Sequence, residues 1–431
     1  MRPALVALMF ALPAAPAFAQ VAPAQPQTVV VKAARIVTDA AKPAMGPGMV
    51  VVTGGRIVSV GPVGPTPAGA RLVDLGSATL LPGLIDAHVH LTGDPGTPYE
   101  REAIDTDEYA VAVGLKNALV TVRAGFTTVA DLGSPRFAGF AVRDAIANGL
   151  AFGPRVLASG PAIAIPGGHA DVNGFREEVN HALDAGNTCT GAEACAARVR
   201  EASKRGANLI KITATGGVLS QQGRGLEGHF MPVEMAAITG TARRLGLHVA
   251  AHAHGAGGIA ESVEAGVRSI EHGSFINAAG IAAMKRTGAF YVPTLMALQG
   301  VSERVGRGIY TPTVDRKARE ALAVWGRGLN AAHKAGVRIA FGTDAGVMEH
   351  GRNAGEFRLM VEKGGMTQRE ALVAATTGAA ELLGLSNETG RIAPGLSADL
   401  VAVAGDPQTD PDTLMKPQFV MAAGRVVPLQ D

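Results

Sequence analysis

Cysteine, aromatic residues and net charge are all scarce in this chain of 431 residues. It has two cysteines, 4% aromatic residues and a formal net charge of +2. Few aromatic side chains leave little surface on which nucleic-acid bases could stack, and no basic run offers contacts to phosphates. Two cysteines cannot complete a thiolate metal site. The composition therefore excludes nucleic acid as a partner, and its 47% hydrophobic content predicts a large buried core.

The first 19 residues have the pattern of a signal peptide. Arg2 supplies a positive charge, residues 4–15 form an apolar run broken by proline, and residues 17–19 (AFA) match a cleavage pattern. We expect cleavage near Ala19 and export to the periplasm or the medium, with residues 20–27 left as a linker. The apolar run is too short for a stable membrane anchor. The alternative is a disordered arm rich in alanine and proline.

Export also bears on the two cysteines, Cys189 and Cys195, which lie close together in the sequence. In an oxidising compartment we expect them to form a disulfide that closes a small loop. The alternative is a pair of free thiols.

Hydrophobic patterning predicts an α/β fold class with two units. Short β-branched runs fill residues 28–82, and residues 389–431 return to the same pattern. Between them, in residues 83–388, eight strand patterns alternate with helical ones, among them a single long helix over 314–335. This is typical of a (β/α)8 TIM barrel, with the two chain ends combined in one small β-sandwich. A doubly wound open sheet is the alternative, but no Gly-x-Gly-x-x-Gly turn follows the first strand.

Polar residues follow the predicted barrel strands. His88 and His90 end the first strand, and because residues i and i+2 share one side of a strand, both imidazoles can face one metal ion. Taken alone, the pair is also compatible with strand-end histidines that bind no metal. Further candidates at later strand ends are Lys211, His252, His254, His272 and Asp344. This end of the strands carries the active site in a (β/α)8 barrel, so the set predicts a metal centre.

Lys211 is an unusual candidate, because an ammonium group repels metal ions. It lies between Ile210 and Ile212 in an apolar strand, and burial lowers the pKa of a lysine. A neutral amine can take up carbon dioxide to form a carbamate, an anionic group able to bridge two metals. The alternative is a lysine paired with a carboxylate or reaching to solvent.

These motifs together resemble the amidohydrolase superfamily. The matching segments are residues 82–90 (PGLIDAHVH), 210–212 (IKI), 252–255 (HAHG), 270–273 (IEHG), 342–345 (GTDA), 390–392 (GRI) and 398–401 (ADLV). The resemblance covers nearly the whole chain after the signal peptide. Within the superfamily the chain is most similar to the imidazolonepropionase-related dipeptidases and carboxypeptidases, including exported amidohydrolases that hydrolyse ochratoxin A.

The resemblance implies a binuclear centre and a role for each residue. His88, His90 and Asp344 would hold the more buried metal, His252 and His272 the more exposed one, and carbamylated Lys211 would bridge both. The ions would be zinc, although cobalt and manganese suit the same ligands. Asp344 would also be the catalytic base and acid. Related enzymes form homo-oligomers, often octamers.

Two further histidines are implied to bind substrate, namely His254 and His169. His169 lies in the loop after the third barrel strand, where a solvent-facing histidine is the alternative. For His254 the alternative is a core or outward-facing side chain.

The function implied is metal-dependent hydrolysis of small amides that carry a C-terminal amino acid. Dipeptides, N-acyl amino acids and phenylalanine amides such as ochratoxin A belong to this class. The same activated water could attack cyclic amides, lactones or phosphotriesters, which is the enzymatic alternative. A non-catalytic scaffold of amidohydrolase type is a third reading, but such scaffolds lose the ligands that are in place here.

Overall fold

The computed structural model describes residues 27–97, 99–221, 223 and 225–430. The predicted signal peptide and all but the last residue of the predicted linker lie outside them. None of the helices in the described part of the chain combines the length and hydropathy needed to cross a bilayer.

The strands begin near the N-terminus and recur throughout. They are β1 (Thr28–Ala33), β2 (Arg35–Ile36), β3 (Gly48–Thr53), β4 (Arg56–Pro62), β5 (Arg71–Asp74), β6 (Thr79–Pro82), β7 (Leu84–Val89), β8 (Phe126–Asp131), β9 (Arg155–Ala158), β10 (Ile210–Thr213), β11 (Val249–Ala253), β12 (Ser269–His272), β13 (Phe290–Val292), β14 (Arg338–Ile339), β15 (Leu400–Val403), β16 (Phe419–Ala422) and β17 (Arg425–Val426). Only β7 to β14 are interleaved with α-helices, as the alternating pattern of the sequence predicts.

The helices lie between or beside these central strands. They are α1 (Asp107–Arg123), α2 (Ala138–Ala147), α3 (Glu177–Leu183), α4 (Ala192–Lys204), α5 (Pro232–Arg244), α6 (Ala256–Glu264), α7 (Ala278–Thr287), α8 (Leu295–Ser302), α9 (Pro312–Ala323), α10 (Arg327–Lys334), α11 (Gly355–Glu362), α12 (Gln368–Val373) and α13 (Ala379–Leu382). Cys189 and Cys195 are joined by a disulfide that links the start of α4 to the loop before it.

Two parallel sheets occupy the centre, one of order β7-β8-β9 and one of order β10-β11-β12-β13-β14. Backbone hydrogen bonds connect them at both edges. After β9, Ile163 N donates to Lys211 O on β10 at 2.8 Å. After β14, Asp344 N donates to His88 O on β7 at 2.7 Å. The carboxyl ends of the central strands therefore come together at one face.

One predicted helix is broken, so the prediction of a single helix over 314–335 was wrong. In the structure α9 ends at Ala323 and α10 begins at Arg327. Gly326 stands between them with φ +80°, and a Cβ built on it would lie 2.4 Å from Lys363 Cβ. The left-handed conformation of Gly326 explains why the helix breaks there. The lack of room for a side chain explains why the residue is glycine.

The two chain ends share sheets and a core. The outer sheets have the orders β4-β3-β1-β5 and β17-β16-β15-β6-β2. C-terminal β15 pairs antiparallel with β6, and Gly83 N donates to Asp399 O at 2.8 Å just where β7 begins. Buried apolar side chains from both ends pack together, including Val31, Leu80 and Met421. The site-bearing strand β7 is therefore anchored by the last strands of the chain.

Candidate active site

The residues predicted from strand ends converge on one cavity. Its volume is about 1430 Å³. The predicted site residues that line it are His88, His90, His169, Lys211, His252, His254, His272 and Asp344. Four of these residues end or lie within central strands, and the others follow such strands directly or in their loops. The structure thus brings the whole predicted set to the face where the central strands end.

The first group of possible metal ligands is His88, His90 and Asp344, whose ligand atoms lie within 4.8 Å of one another. Asp344 Oδ1 is 3.4 Å from His88 Nε2 and 3.2 Å from His90 Nε2. On the far side of each ring, Nδ1 donates a hydrogen bond: His88 to Glu271 at 2.9 Å and His90 to the Gly133 carbonyl at 3.0 Å. These bonds fix the tautomer and leave both Nε2 lone pairs facing Asp344.

The second group comprises His252, His254 and His272, which are also within 4.8 Å of one another at their ligand atoms. His254 stacks on His272 with ring centroids 5.0 Å apart and planes 16° apart. Its Nδ1 lies 2.8 Å from Ser274 Oγ, and His272 Nδ1 lies 2.7 Å from Thr294 Oγ1. The geometry therefore places His254, predicted to bind substrate, among the predicted ligands of the more exposed metal.

His169 reaches the same group from the loop after β9. Its ring centroid is 4.3 Å from that of His252, and its Nδ1 is 2.5 Å from Ser220 Oγ. Gly217 lies directly beneath the ring, where a Cβ would come within 2.3 Å of His169 Nδ1. The structure thus holds the His169 ring in the cavity, packed against the backbone of Gly217.

Lys211 lies against the first group, and besides burial its charge also helps to lower the pKa values of His252 and His272 in the second. It is 3% exposed, and its Nζ is 3.3 Å from His88 Nε2. Burial lowers the pKa of Lys211, while the carboxylates of Glu271 and Asp344 oppose this shift. The neutral amine that carbamate formation requires is therefore favoured by the site.

Four of the other site residues hold the protonation states that a metal centre needs. Burial lowers the pKa values of His88, His252 and His272 well below the usual range, so their imidazoles are neutral and can offer lone pairs. Burial would raise the pKa of Asp344, but the nearby His88, His90 and Lys211 outweigh it and lower that pKa. At His90 burial would lower the pKa, but the hydrogen bond to Asp344 and its charge raise it overall, so a metal ion would displace a proton from this ring. Imidazoles around an ionised carboxylate form a donor set that suits a divalent metal ion.

Three residues of the site adopt a left-handed backbone conformation without being glycine. They are His272 with φ 68°, Thr294 with φ 47° and Asp344 with φ 61°. Such conformations cost about 1–3 kcal/mol each and persist where surrounding contacts impose them. Strained backbone therefore sets the direction of two candidate metal ligands, His272 and Asp344. It also positions the Thr294 hydroxyl, which contacts His272.

Two buried carboxylates support the ligands, and our sequence interpretation gave neither of them a role. Glu271, fully buried, accepts from His88 Nδ1 and from Ser269 Oγ. Asp86 accepts from the His88 backbone N–H at 3.1 Å and from Thr343 Oγ1 at 2.6 Å, so it ties β7 to the segment before Asp344. Both lie within the motifs quoted above. An acidic residue inside a predicted central strand is the signal that could have identified them.

Comparison with known proteins agrees with this architecture. The model of the amidohydrolase family matches residues 79–427. Ochratoxinase of Aspergillus niger is 32% identical over 361 residues, which cover 79% of this chain and 73% of the relative. The solved structure of an Xaa-Pro dipeptidase with bound methionine in the active site is 33% identical, with a TM-score of 0.86 over 93% of this chain and 99% of that one. A prolidase complexed with N-methylphosphonate-L-proline is 30% identical, with a TM-score of 0.85 over 94% and 100%.

Proposed function

The chain belongs to the amidohydrolase family, and from this premise we propose that it hydrolyses amide bonds of small substrates that end in a free amino acid. The observation that carries the proposal is the pair of adjacent groups, His88–His90–Asp344 and His252–His254–His272, with Lys211 Nζ 3.3 Å from His88 Nε2 of the first. In this proposal β7 to β14 form one (β/α)8 barrel, and the groups lie at its active-site face.

Two divalent metal ions, zinc by preference, fit the donors described above. His88, His90 and Asp344 would hold one ion, and His252 and His272 the other. Carbon dioxide would add to the neutral Lys211 amine, forming an N–C bond and releasing one proton, and the anionic carbamate would serve both ions. When bound, the ions lower the pKa of a water molecule to about 7 and polarise the substrate carbonyl.

Asp344 carries the proton during hydrolysis. Its lowered pKa keeps it ionised at neutral pH, so it can accept the proton of the attacking water at a carboxylate oxygen. The water oxygen bonds to the carbonyl carbon. As the C–N bond breaks, Asp344 returns the proton to the departing amine nitrogen. One residue thus serves first as base and then as acid.

His169 and His254 would orient the substrate. Burial lowers the pKa of His169 to about 3 and that of His254 to about 4, so both are neutral. When Ser220 and Ser274 donate their hydroxyl protons to the Nδ1 atoms, the ring proton lies on Nε2. Each Nε2–H can then donate to the carbonyl or carboxylate oxygen of the substrate.

The substrate class draws on the relatives as well as on the cavity. Ochratoxinase, an Xaa-Pro dipeptidase and a prolidase are among the proteins that this chain resembles. The cavity, about 1430 Å³, has apolar walls that include Leu298, Val301 and Trp325. It has room for a dipeptide, an N-acyl amino acid or a phenylalanine amide such as ochratoxin A. We also propose that the chain is exported after cleavage near Ala19 and forms a homo-oligomer, with the octamer as the expected state.

Metal removal tests the proposal on the mature protein. We expect the purified enzyme to release free amino acid from some of these amides and to contain about two metal ions per chain. Treatment with a chelator should abolish the release, and added zinc should restore it. The assay combines a panel varied at the C-terminal residue, ochratoxin A included, with metal analysis. Two ions without amide cleavage would favour lactones or phosphotriesters, and absence of both would refute the metal centre.

The role of His254 is tested by replacement with alanine. If it binds substrate, the Michaelis constant should rise by about tenfold, the value of one hydrogen bond, while the metal content stays unchanged. His181→Ala is the control, since His181 is exposed on α3 and is not among the described residues that line the cavity. Loss of one metal ion in His254→Ala would instead make His254 a ligand.

A further inference from the structure

His272 is held by contacts that come from β13 and from the segment directly after it. Its Nδ1 lies 2.7 Å from Thr294 Oγ1, and its carbonyl accepts from Tyr291 Oη at 2.9 Å. Of these two contacts, the one from Thr294 can set the ring orientation, because it is made to the ring itself. The position of the Thr294 hydroxyl therefore helps to fix where His272 Nε2 points.

Thr294 does not reach that position by relaxed geometry. It has φ 47°, is 1% exposed and stands directly before α8. Its own side chain makes no capping bond to the helix, and its hydroxyl contacts His272 instead. The first turn of α8 must be held by another group if the strained conformation is to persist.

Glu356 on α11 supplies that group. Its carboxylate is fully buried and accepts from the backbone N–H groups of Leu295 at 2.8 Å and Met296 at 2.6 Å. These are the first two residues of α8, immediately after Thr294. A carboxylate from a distant helix thus replaces the local cap that Thr294 would otherwise provide.

We propose that Glu356 is a positioning residue for the more exposed metal, acting through the first turn of α8 and Thr294 on His272. The inference rests on the proposed function, since it assigns His272 to a metal. Glu356 is not among the described residues that line the cavity, so it does not act on the substrate directly.

The chain contains a matched control for this carboxylate. Glu234 is also buried, and it accepts from the backbone N–H groups of Gly191 at 2.6 Å and Met231 at 2.8 Å. Its bonds lie at the starts of α4 and α5, and no contact described for it leads to a site residue. Replacement of each glutamate by glutamine removes a similar set of bonds, but only one set adjoins His272.

Glu356→Gln is a mild change for the fold. Burial raises the pKa of Glu356 to about 8, although the two N–H donors lower it, and glutamine keeps the length and shape of the side chain. The new amide would face one of those donors with its own NH₂ group. The first turn of α8 should therefore shift while the protein stays folded.

The experiment measures metal affinity on the full mature protein, stripped with a chelator and titrated with zinc against a chromophoric competitor. We expect Glu356→Gln and Thr294→Val each to weaken one of the two binding events by about 10–100-fold, as is usual for partners behind a metal ligand. The double variant should bind zinc with the same affinity as the weaker-binding of the two single variants, because both residues act on one path. Glu234→Gln and Thr294→Ser, which keeps the hydroxyl, should bind zinc like the wild type.

Each other outcome is decisive. Wild-type zinc affinity in Glu356→Gln or in Thr294→Val would overturn the inference, and so would additive effects in the double variant. A Glu356→Gln protein that fails to fold while Glu234→Gln folds would overturn it as well, since the carboxylate would then serve folding itself. If the wild type binds no zinc and cleaves no amide, it is the proposed function that fails.

Discussion

Asp344→Asn is expected to lower turnover by about 10²–10⁴-fold, the usual contribution of a positioned acid or base. An amide cannot accept a proton from the attacking water or return it to the amine. The hydrogen bond from the Asp344 N–H to His88 O is made by the backbone and is kept. The fold should therefore survive, and the loss should appear in kcat more than in the Michaelis constant.

The measurement is steady-state hydrolysis of the best amide found in the screen, with circular dichroism and metal analysis on the same samples. Asp399→Asn is the matched control, because Asp399 is a buried carboxylate that accepts from Arg155 at 3.2 Å outside the cavity. That variant should keep its turnover per folded molecule. Turnover within a few fold of wild type in Asp344→Asn would remove Asp344 from proton transfer.

Replacement of Lys211 with alanine is expected to cost more than 100-fold in activity. Residues behind a metal ligand contribute about 10–100-fold, and a group shared by two ions should exceed them. The metal content should fall by about half, since the ligands of the more exposed ion are then only imidazoles. The position of Lys211 supports this expectation, because its side chain is buried and its Nζ lies 3.3 Å from Nε2 of the candidate ligand His88.

Two further variants separate charge from packing at this position. Lys211→Met keeps an aliphatic chain of similar length without the amine and should be as inactive as Lys211→Ala. Lys211→Glu supplies an anionic carboxylate and should recover part of the metal content. The three are compared by metal analysis and by hydrolysis rates. Wild-type activity in Lys211→Ala would refute the carbamate.

The sequence was informative where one strand carries its own signal. His88 and His90 share a strand side by their spacing alone, Lys211 stands out between two isoleucines, and the segment that holds Asp344 matches a family motif. Strand bounds were close as well: the strand predicted to end in His88 and His90 is β7 (Leu84–Val89). Periodicity and burial are local properties, and local properties can be read from one chain.

Contacts between distant segments could not be predicted in this way. Glu271 meets His88 across 183 residues, and Glu356 meets Leu295 across 61. The hydrophobic pattern can single out a buried acidic residue, but it does not say which distant segment that residue meets. The broken helix at Gly326 was missed for a related reason, because the space that forbids a side chain there is filled by Lys363.

The pairing of β6 with β15 has a consequence for the order of folding. β6 ends at Pro82, yet its antiparallel neighbour begins only at Leu400, near the end of the chain. The ribosome must therefore synthesise all of β7 to β14 before that ladder can close, and closing so large a loop is entropically slow. The strand that leads into His88 and His90 is thus made before the site, and the strand that secures it is made after the site.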